Sequence, residues 1–393
     1  MSVNPAYIIV ADSNSLRWEH YERDLKQFWE ARGCTPKINL VEWSQLLANW
    51  KDPSNLLTNE DGLLRIESPA RDLSLITTLA EIGKAGTDDG KVESNVRQTW
   101  WGKFKKKPNQ SELLDPRFIC HGLEKVLKQL DASLQSRPGI KKSQNINDLI
   151  DLFDKNYISK RLQDAEIATP DAFRPESSQH LLDEVDARRW GEFYLKSAFG
   201  SCAANMMHLY RASGGLWGES TLLEIKKGRR KGQFVKPEQP QLLRGRDLDN
   251  LLEYLIANQA TAQRAVVKAS YQGNNFDVRV IVIDNKIAAS VFRVSKHAMT
   301  NLHFGGTRGN PELLHRVIPR RAWLDAMAEC LEAAELFDIP ALGIDLAFEM
   351  DSFEPAIIEI NSFGDFFPNW QDAQGRTVHS LEIEASARKM GWI

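Results

Sequence analysis

The sequence contains few cysteines, and they are widely scattered. The four of them, Cys34, Cys120, Cys202 and Cys330, show no CxxC spacing and have no histidine at zinc-finger distance. This scatter argues against a disulfide-stapled scaffold and against a structural zinc site. We therefore expect reduced, mostly structural thiols.

The chain also lacks a long hydrophobic run and a large net charge. No apolar stretch approaches the roughly 20 residues that span a bilayer, and residues 1–7 lack the basic and apolar regions of a signal peptide. A net charge of −3 gives no reason to expect nucleic acid or an anionic membrane as a partner. Together with reduced thiols, these absences predict a cytoplasmic protein.

The length of 393 residues and a content of 42% hydrophobic and 26% charged residues are typical of a soluble protein with two or three packed subdomains. Tyr7–Ala11 indicates a strand and Leu16–Arg32 a helix, which together predict an opening Rossmann-like layer. The turn between them has no glycine, so no dinucleotide fingerprint is present. Arg137–Gln144 has the composition of a linker, and we place a domain boundary near residue 150.

Two acids and an asparagine lie on apolar strands near the C-terminal end. Asp345 lies within Gly343–Phe348, and Glu359 and Asn361 lie within Ala356–Asn361. Since side chains alternate along a strand, Glu359 and Asn361 share a face, and a hairpin places Asp345 beside them. Oxygen ligands are typical of Mg²⁺, which completes its shell with water and substrate phosphates. The set predicts a metal–nucleotide site, with a buried hydrogen-bonded network as the alternative.

Several basic residues lie where they can contact phosphates. Lys196 ends an apolar strand before a turn of small residues, and Lys155 lies near the start of a helix. Arg279 shares a strand face with Asp277, and Arg293 ends the paired strand, so these cations are expected to point at one cleft. Lysines facing water and surface ion pairs are the alternatives.

The stretch that follows, Thr300–Gly306, ends in paired glycines that allow close backbone approach to a ligand. Together with the acids and cations described above, this stretch makes residues 150–368, roughly, resemble the ATP-grasp superfamily. Within that superfamily the resemblance is to the branch of the ribosomal-protein glutamate ligase. Asp277-Val-Arg279 resembles that branch's Asp-Ile-Arg strand, and Glu359-Ile-Asn361 its terminal metal motif. Asn301-Leu-His-Phe-Gly-Gly306 resembles its Asn-Leu-His-Arg-Gly-Gly loop.

The resemblance implies a fold of the α/β and α+β classes. Residues 1–150 would form a Rossmann-like (pre-ATP-grasp) domain. Residues 151–260 and 261–393 would form the two subdomains of an ATP-grasp core, the second of which holds the metal site.

Carried over residue by residue, the resemblance also implies three sets of site residues. The ligands of Mg²⁺, or of Mn²⁺ in its place, would be Asp345, Glu359 and Asn361. The residues that bind ATP would be Lys155 and Lys196 at the phosphates, Val267 and Lys268 at the adenine, and Asp277. The residues that steady the transferring phosphoryl group and the acyl-phosphate would be Arg279, Arg293 and Asn301.

Some segments depart from the family pattern or lie outside it. Met299-Thr300 stands where that branch carries an arginine. The basic segments 103–107 and 226–231 are interpreted as solvated loops. Ile66–Asp72 is interpreted as a strand end with a helix cap at Ser68, and lining of an acceptor site is the alternative.

The resemblance implies an ADP-forming, Mg-ATP-dependent ligase that joins a carboxylate to an amine, with an amino acid, a peptide or a small amine as substrate. A small-molecule kinase and a non-catalytic nucleotide-binding module are the alternatives. A homodimer is the commonest assembly for such a protein. Alanine at Asp345 or Glu359 is expected to abolish turnover with little loss of fold.

Overall fold

The structure of the chain, a computed structural model, has helices packed on three larger β-sheets and one small sheet. It describes residues 5–58, 60–69, 72–85, 111–112, 115–199, 205–226, 234–237, 239–300, 306–309, 314–365, 367–368 and 370–393. Among these residues, no helix combines the length and the apolar character needed to cross a lipid bilayer.

The N-terminal third forms a parallel α/β layer and contributes one short strand, Ser111–Glu112, to the small sheet. Its elements are β1 (Ala6–Ala11), α1 (Leu16–Glu30), β2 (Lys37–Glu42), α2 (Trp43–Ala48), a 3₁₀ turn (Pro53–Leu56), β3 (Gly62–Ile66), α3 (Leu73–Lys84), β4 (Ser111–Glu112), α4 (Pro116–Leu134) and β5 (Ile140–Lys142). The first sheet has the order β2-β1-β3-β5, and all its pairs are parallel. Helices α3 and α4 approach so closely that a Cβ on Gly83 would lie 1.9 Å from the carbonyl oxygen of Phe118.

Two local expectations for this region are wrong. Arg137–Gln144 is not a plain linker, because β5 lies within it and pairs with β3. The strand is only three residues long and exposes both its lysines, so its sequence carries no alternating pattern. The cap of α3 is Asp72 rather than Ser68, and its carboxylate accepts hydrogen bonds from the backbone N–H groups of Ser74 and Leu75.

The middle of the chain builds an antiparallel sheet. Its elements are α5 (Ile146–Asp151), α6 (Lys155–Asp164), β6 (Ala172–Phe173), α7 (Ser178–Ala187), β7 (Glu192–Ser197), β8 (Met206–Ala212), β9 (Gly215–Ser220), β10 (Leu223–Glu224), β11 (Phe234–Lys236), β12 (Gln241–Arg244), α8 (Arg246–Ala257) and β13 (Ala260–Arg264). The second sheet has the order β12-β9-β8-β7-β13-β6, and the small sheet has the order β10-β11-β4. Leucines of α7 and α8 pack on Phe193 and Leu195 of β7.

The strand expected at Ala265–Ala269 is wrong in position. The strand is β13, and Ala265–Ala269 is the crossing segment from the second sheet to the third, with one isolated bridge at Lys268. Both stretches are apolar in part, and the hydrophobic pattern did not distinguish them. The second sheet thus extends past residue 260, and the boundaries at 150 and 260 stay predictions.

The third sheet is also antiparallel. Its elements and those after it are β14 (Ser270–Tyr271), β15 (Asn274–Ile283), β16 (Lys286–Ser295), β17 (Thr307–Arg308), α9 (Leu314–Val317), α10 (Arg320–Glu335), β18 (Ala341–Phe348), β19 (Pro355–Asn361) and α11 (Val378–Lys389). The order is β17-β16-β15-β18-β19, with β14 paired to β15. Asp284 and Asn285, both with positive φ, form the predicted turn between β15 and β16. Helix α10 packs against this sheet.

The C-terminal segment returns to the first sheet. Helix α11 packs on α1, and Ile383 lies in one hydrophobic cluster with Tyr7 and Trp29. The ring of Trp392 lies 5.2 Å from that of Tyr7 and 6.0 Å from that of Trp29. The end of the chain therefore covers an aromatic face near its beginning.

Candidate active site

A cavity lies between the second and third sheets. Side chains from β7, β13, β15, β16, β18 and β19, and from the first turn of α6, form its walls. Seven of the residues expected from the sequence line it together: Lys155, Lys196, Lys268, Asp277, Arg293, Asp345 and Glu359. The fold thus brings together cations and acids from strands that are far apart in sequence.

The strand pair β18 and β19 places Asp345 directly opposite Glu359. Asp345 is 7% exposed. Its Oδ2 accepts a hydrogen bond from Arg279 Nη2 over 2.9 Å, and its Oδ1 lies 3.0 Å from Arg293 Nη2 and also contacts Arg279 Nε. Two arginines from neighbouring strands therefore balance this buried carboxylate.

The oxygen atoms near this strand pair fit a hard cation. A carboxylate offers about four lone pairs, and the arginines take three at Asp345, which leaves one on Oδ2. Glu359 is one-quarter exposed, and its Oε1 lies 3.4 Å from Lys155 Nζ. In the described parts of the chain, no three His, Cys, Asp or Glu side chains are grouped to hold a metal by themselves. A metal here would thus take water and phosphate oxygens as well, as Mg²⁺ does.

Two lysines face Glu359. Lys155 is the first residue of α6, and its backbone N–H donates to the carbonyl oxygen of Ala198 over 3.0 Å, which ties the helix start to the end of β7. Lys196 lies on β7 and is 7% exposed. Burial lowers the pKa of Lys196 to about 8, the charge of Glu359 opposes the shift, and the charge of Lys155 adds to it. Such clustered cations favour an anionic ligand.

Buried polar atoms beside Lys196 lack partners. Within the described residues, no group hydrogen-bonds to Ser197 Oγ, Asn205 Oδ1 or Thr261 Oγ1. Thr261 pairs with Lys196 across β13 and β7, and Ser197 lines the cavity. Because buried polar groups are nearly always satisfied, these atoms fit a site that is completed by a polar ligand or by water.

A second buried carboxylate of the cavity, Asp277, shares Arg293 with Asp345. Asp277 Oδ1 accepts from Arg293 Nε over 2.7 Å, and Oδ2 lies 3.5 Å from Lys268 Nζ. Thr300 Oγ1 donates to the same Oδ2 and accepts from Lys268 over 2.8 Å. Burial would raise the pKa of Asp277, but the charges of Arg293 and Lys268 outweigh it and lower the pKa. Burial lowers the pKa of Lys268.

Three expected site residues are placed differently, and a fourth is not described. Val267 is 47% exposed, and Val266 lines the cavity in its place, because side chains alternate along extended backbone. Asn361 donates from Nδ2 to the carbonyl oxygen of Gly343 over 3.2 Å and is not a lining residue. Arg279 reaches the cavity only through Asp345. Asn301 lies outside the described residues, as do 103–107 and 227–231.

Sequence reasoning missed several lining residues. Tyr194 precedes Lys196 by two positions on the same strand face, so the alternation of β7 contained a signal for it. Gln263 lies on β13, which was placed too late in the chain. Thr300 was noted as the start of the glycine-containing stretch and as a departure from the family pattern, but its own role was not predicted: its hydroxyl joins Lys268 to Asp277.

Comparisons with known proteins identify the fold. No protein-family model and no curated protein sequence matches the chain. The D-cycloserine synthetase DcsG is similar with a TM-score of 0.54 at 12% identity, over 98% of this chain and 99% of that one. The Chryseobacterium gregarium RiPP-associated ATP-grasp ligase, in complex with ADP and a leader and core peptide, is similar with a TM-score of 0.52 at 11% identity, over 98% and 97%. The ATP-grasp ligase PsnB, complexed with minimal precursor, Mg and ADP, is similar with a TM-score of 0.50 at 12% identity, over 98% of each chain.

At these identities the similarity concerns the fold, and the fold is one that ligases adopt. The chain has the ATP-grasp fold over nearly its whole length. The sequence-based expectation of a Rossmann-like layer followed by an ATP-grasp core is therefore confirmed.

Proposed function

We propose that the chain is an Mg-ATP-dependent ligase that joins a carboxylate to an amine through an acyl-phosphate and forms ADP. The observation that carries the proposal is the cavity in which Lys155, Lys196 and Arg293 face Asp345 and Glu359 between two antiparallel sheets. The fold supports it, because two of the similar ligases are complexed with ADP.

The proposal assigns each side chain a task. Asp345, Glu359 and Asn361 would hold Mg²⁺, or Mn²⁺ in its place, which supplies positive charge to the phosphates. The residues at the nucleotide would be Lys155 and Lys196 at the phosphates, Lys268 and the backbone at Val267 nearer the adenine, and Asp277, which holds Arg293 and Lys268. The residues that steady the transferring group would be Arg293 and Asn301, together with Arg279, which would act through Asp345.

The chemistry requires such a concentration of cations. A carboxylate is a poor electrophile because its charge repels an incoming amine. In the first step a carboxylate oxygen attacks the γ-phosphorus, the bond to the β–γ bridging oxygen breaks, and ADP leaves. The amine nitrogen then attacks the acyl carbon, phosphate leaves, and the nitrogen loses its proton. Lys196 and Arg293 offset the charge that moves through the first step, so catalysis rests on positioning and electrostatics.

The similar ligases indicate which class of substrate to test first. PsnB is complexed with a precursor, and the Chryseobacterium gregarium ligase with a leader and core peptide. Among the substrates expected from the sequence, which are amino acids, peptides and small amines, peptides are therefore the ones to test first.

The test is ADP release by the purified protein with Mg-ATP, against pools of amino acids, polyamines and peptides. The proposal predicts ADP that depends on both a carboxylate and an amine and that disappears in Glu359→Ala. Glu354→Gln, on the exposed turn of the same hairpin, is the matched control and should retain activity. A stable phosphorylated product formed without amine would indicate that the protein is a kinase and not a ligase. Tight nucleotide binding with no ADP from any pool would indicate a binding module.

A further inference from the structure

Arg17, in the first turn of α1, joins the N-terminal layer to the turn after the proposed metal ligands. Its Nε donates to Glu67 Oε1 over 2.7 Å, and its Nη2 donates to the carbonyl oxygen of Phe363. Phe363 lies two residues after Asn361 and is 346 residues from Arg17 in sequence. One side chain thus links the first sheet to the loop that follows β19.

Glu67, which accepts the hydrogen bond from Arg17 Nε, is itself held in place by other contacts. The Glu67 side chain is 1% exposed, its Oε2 accepts from Arg65 Nη1 over 2.9 Å, and its Oε1 accepts from the N–H of Ser68 over 2.8 Å. Arg65 in turn forms a two-point pair with Glu382 on α11. Burial would raise the pKa of Glu67, but the charges of Arg17 and Arg65 hold it at about 2. The carboxylate is therefore ionised at neutral pH.

The turn that Arg17 holds packs tightly on β18. A Cβ on Gly343, the residue opposite Asn361, would lie 3.2 Å from the backbone of Gly364. The next residue, Asp365, lies 3.6 Å from Arg279 Nη1, and Arg279 holds Asp345. A shift of this turn would therefore change the positions of both Asn361 and Asp345.

We propose that Arg17 is a positioning residue for the Mg-nucleotide site, which it controls from the N-terminal layer by holding the Phe363 carbonyl. The inference rests on the proposed function, because it takes Asp345, Glu359 and Asn361 as the metal ligands. It adds a residue from outside the two sheets that form the cavity.

The test is Arg17→Lys. Lysine keeps a positive charge beside Glu67 but lacks the planar fork that reaches two acceptors at once. Calorimetry should show a dissociation constant for Mg-AMPPNP about tenfold higher than that of the wild type, which corresponds to about 1.4 kcal/mol. Binding of AMPPNP with EDTA should weaken by less than binding of Mg-AMPPNP, because Arg17 acts on the proposed metal ligands. The turn meets the segment before Lys155 through a ring contact of Phe363 with Phe153, over 5.9 Å, whereas Asn361 and Asp365 are part of the turn or directly next to it.

Arg23→Lys is the matched control. Arg23 lies on the same helix and donates to Asp24, which is also buried, while its Nη2 contacts His20 rather than the turn at Phe363. Its Mg-AMPPNP affinity should stay within twofold of the wild type. If Arg17→Lys does not fold, as judged by its melting curve, Arg17→Gln replaces it, with the same expected result.

The outcomes separate this inference from the function on which it rests. Wild-type affinity in the Arg17 variants would overturn the positioning role and leave the ligase proposal standing. Equal weakening with and without Mg²⁺, or in Arg23→Lys, would also overturn it. If the wild-type protein binds no Mg-AMPPNP, the proposed function falls as well.

Discussion

Asp277 and Arg293 face each other across β15 and β16, with 2.7 Å between the carboxylate Oδ1 and the guanidinium Nε, and both are buried. The pair does not stand alone, because Arg293 also reaches Asp345 and Asp277 also faces Lys268. The two acids and their cations thus form one electrostatic unit under the cavity.

Asp277→Asn should destabilise the protein strongly. It leaves Arg293 and Lys268 buried with less negative charge, and removal of one partner from a buried pair costs about 3 kcal/mol or more. Urea denaturation at pH 7 measures the loss. Asp284→Asn, in the exposed turn at the end of β15, should change the free energy of unfolding by less than about 0.5 kcal/mol.

The pair of Asp277 and Arg293 also predicts how the free energy of unfolding changes at acidic pH. The pKa of Asp277 is lowered in the folded state, so its stabilisation is present above the unfolded value of about 3.9 and is lost as the pH falls through the lower folded value. The difference in unfolding free energy between wild type and Asp277→Asn should therefore shrink below about pH 4. An unchanged difference down to pH 2 would contradict the assignment.

Alanine at the two proposed metal acids should have different effects on stability. Asp345 balances two buried arginines, so Asp345→Ala should lower the free energy of unfolding by about 3 kcal/mol. Glu359 is one-quarter exposed and lies 3.4 Å from Lys155, so Glu359→Ala should cost less than about 1 kcal/mol. Both should abolish ADP release. The structure therefore predicts little loss of fold for Glu359→Ala but a clear loss for Asp345→Ala, and melting curves of the two variants check it.

Nucleotide binding should take up a proton at alkaline pH. Burial lowers the pKa of Lys196 to about 8 from 10.5, so part of the protein carries a neutral amine at pH 8.5, and a bound phosphate would restore the charge. Calorimetry of Mg-AMPPNP at pH 8.5, in two buffers of different ionisation enthalpy, should reveal uptake. Lys196→Arg should abolish it, because a guanidinium stays charged. In the free protein, charged Lys196 is unfavourable, so this group makes stability rise between pH 8 and 10.5.

Gly83→Ala should destabilise the N-terminal layer. The added Cβ would lie 1.9 Å from a backbone oxygen of α4, so α3 and α4 must separate, and overpacking of this kind costs about 1–3 kcal/mol. Gly191→Ala, whose Cβ would meet no heavy atom within 4 Å, is the control. Thermal melting compares the two, and equal midpoints would show that the helices separate freely.

The sequence predicted local structure near the site better than it predicted contacts. The hairpins β15–β16 and β18–β19 join neighbouring segments, so alternation and turn residues sufficed to place Asp277 near Arg293 and Asp345 near Glu359. The pairing of β15 with β18 is not local, and with it the contact between Arg279 and Asp345 was missed.

Besides non-local contacts, the burial of individual side chains could not be predicted from the sequence. Val266 and Val267 are chemically identical, and only the path of the crossing segment decides that the first lines the cavity and the second faces solvent. The same holds for Arg17, whose role depends on a carbonyl oxygen 346 residues away.

The packing of α11 on the N-terminal layer also determines when that layer can be completed during synthesis. Thr377 and Asp24, which share a hydrogen bond, are 353 residues apart, so at about 5–20 residues per second translation separates them by roughly 20 to 70 seconds. During that interval Tyr7 and Trp29 lack the cover that Ile383 and Trp392 later provide. The aromatic surface of the N-terminal layer therefore stays uncovered until Ile383 and Trp392 have been synthesised.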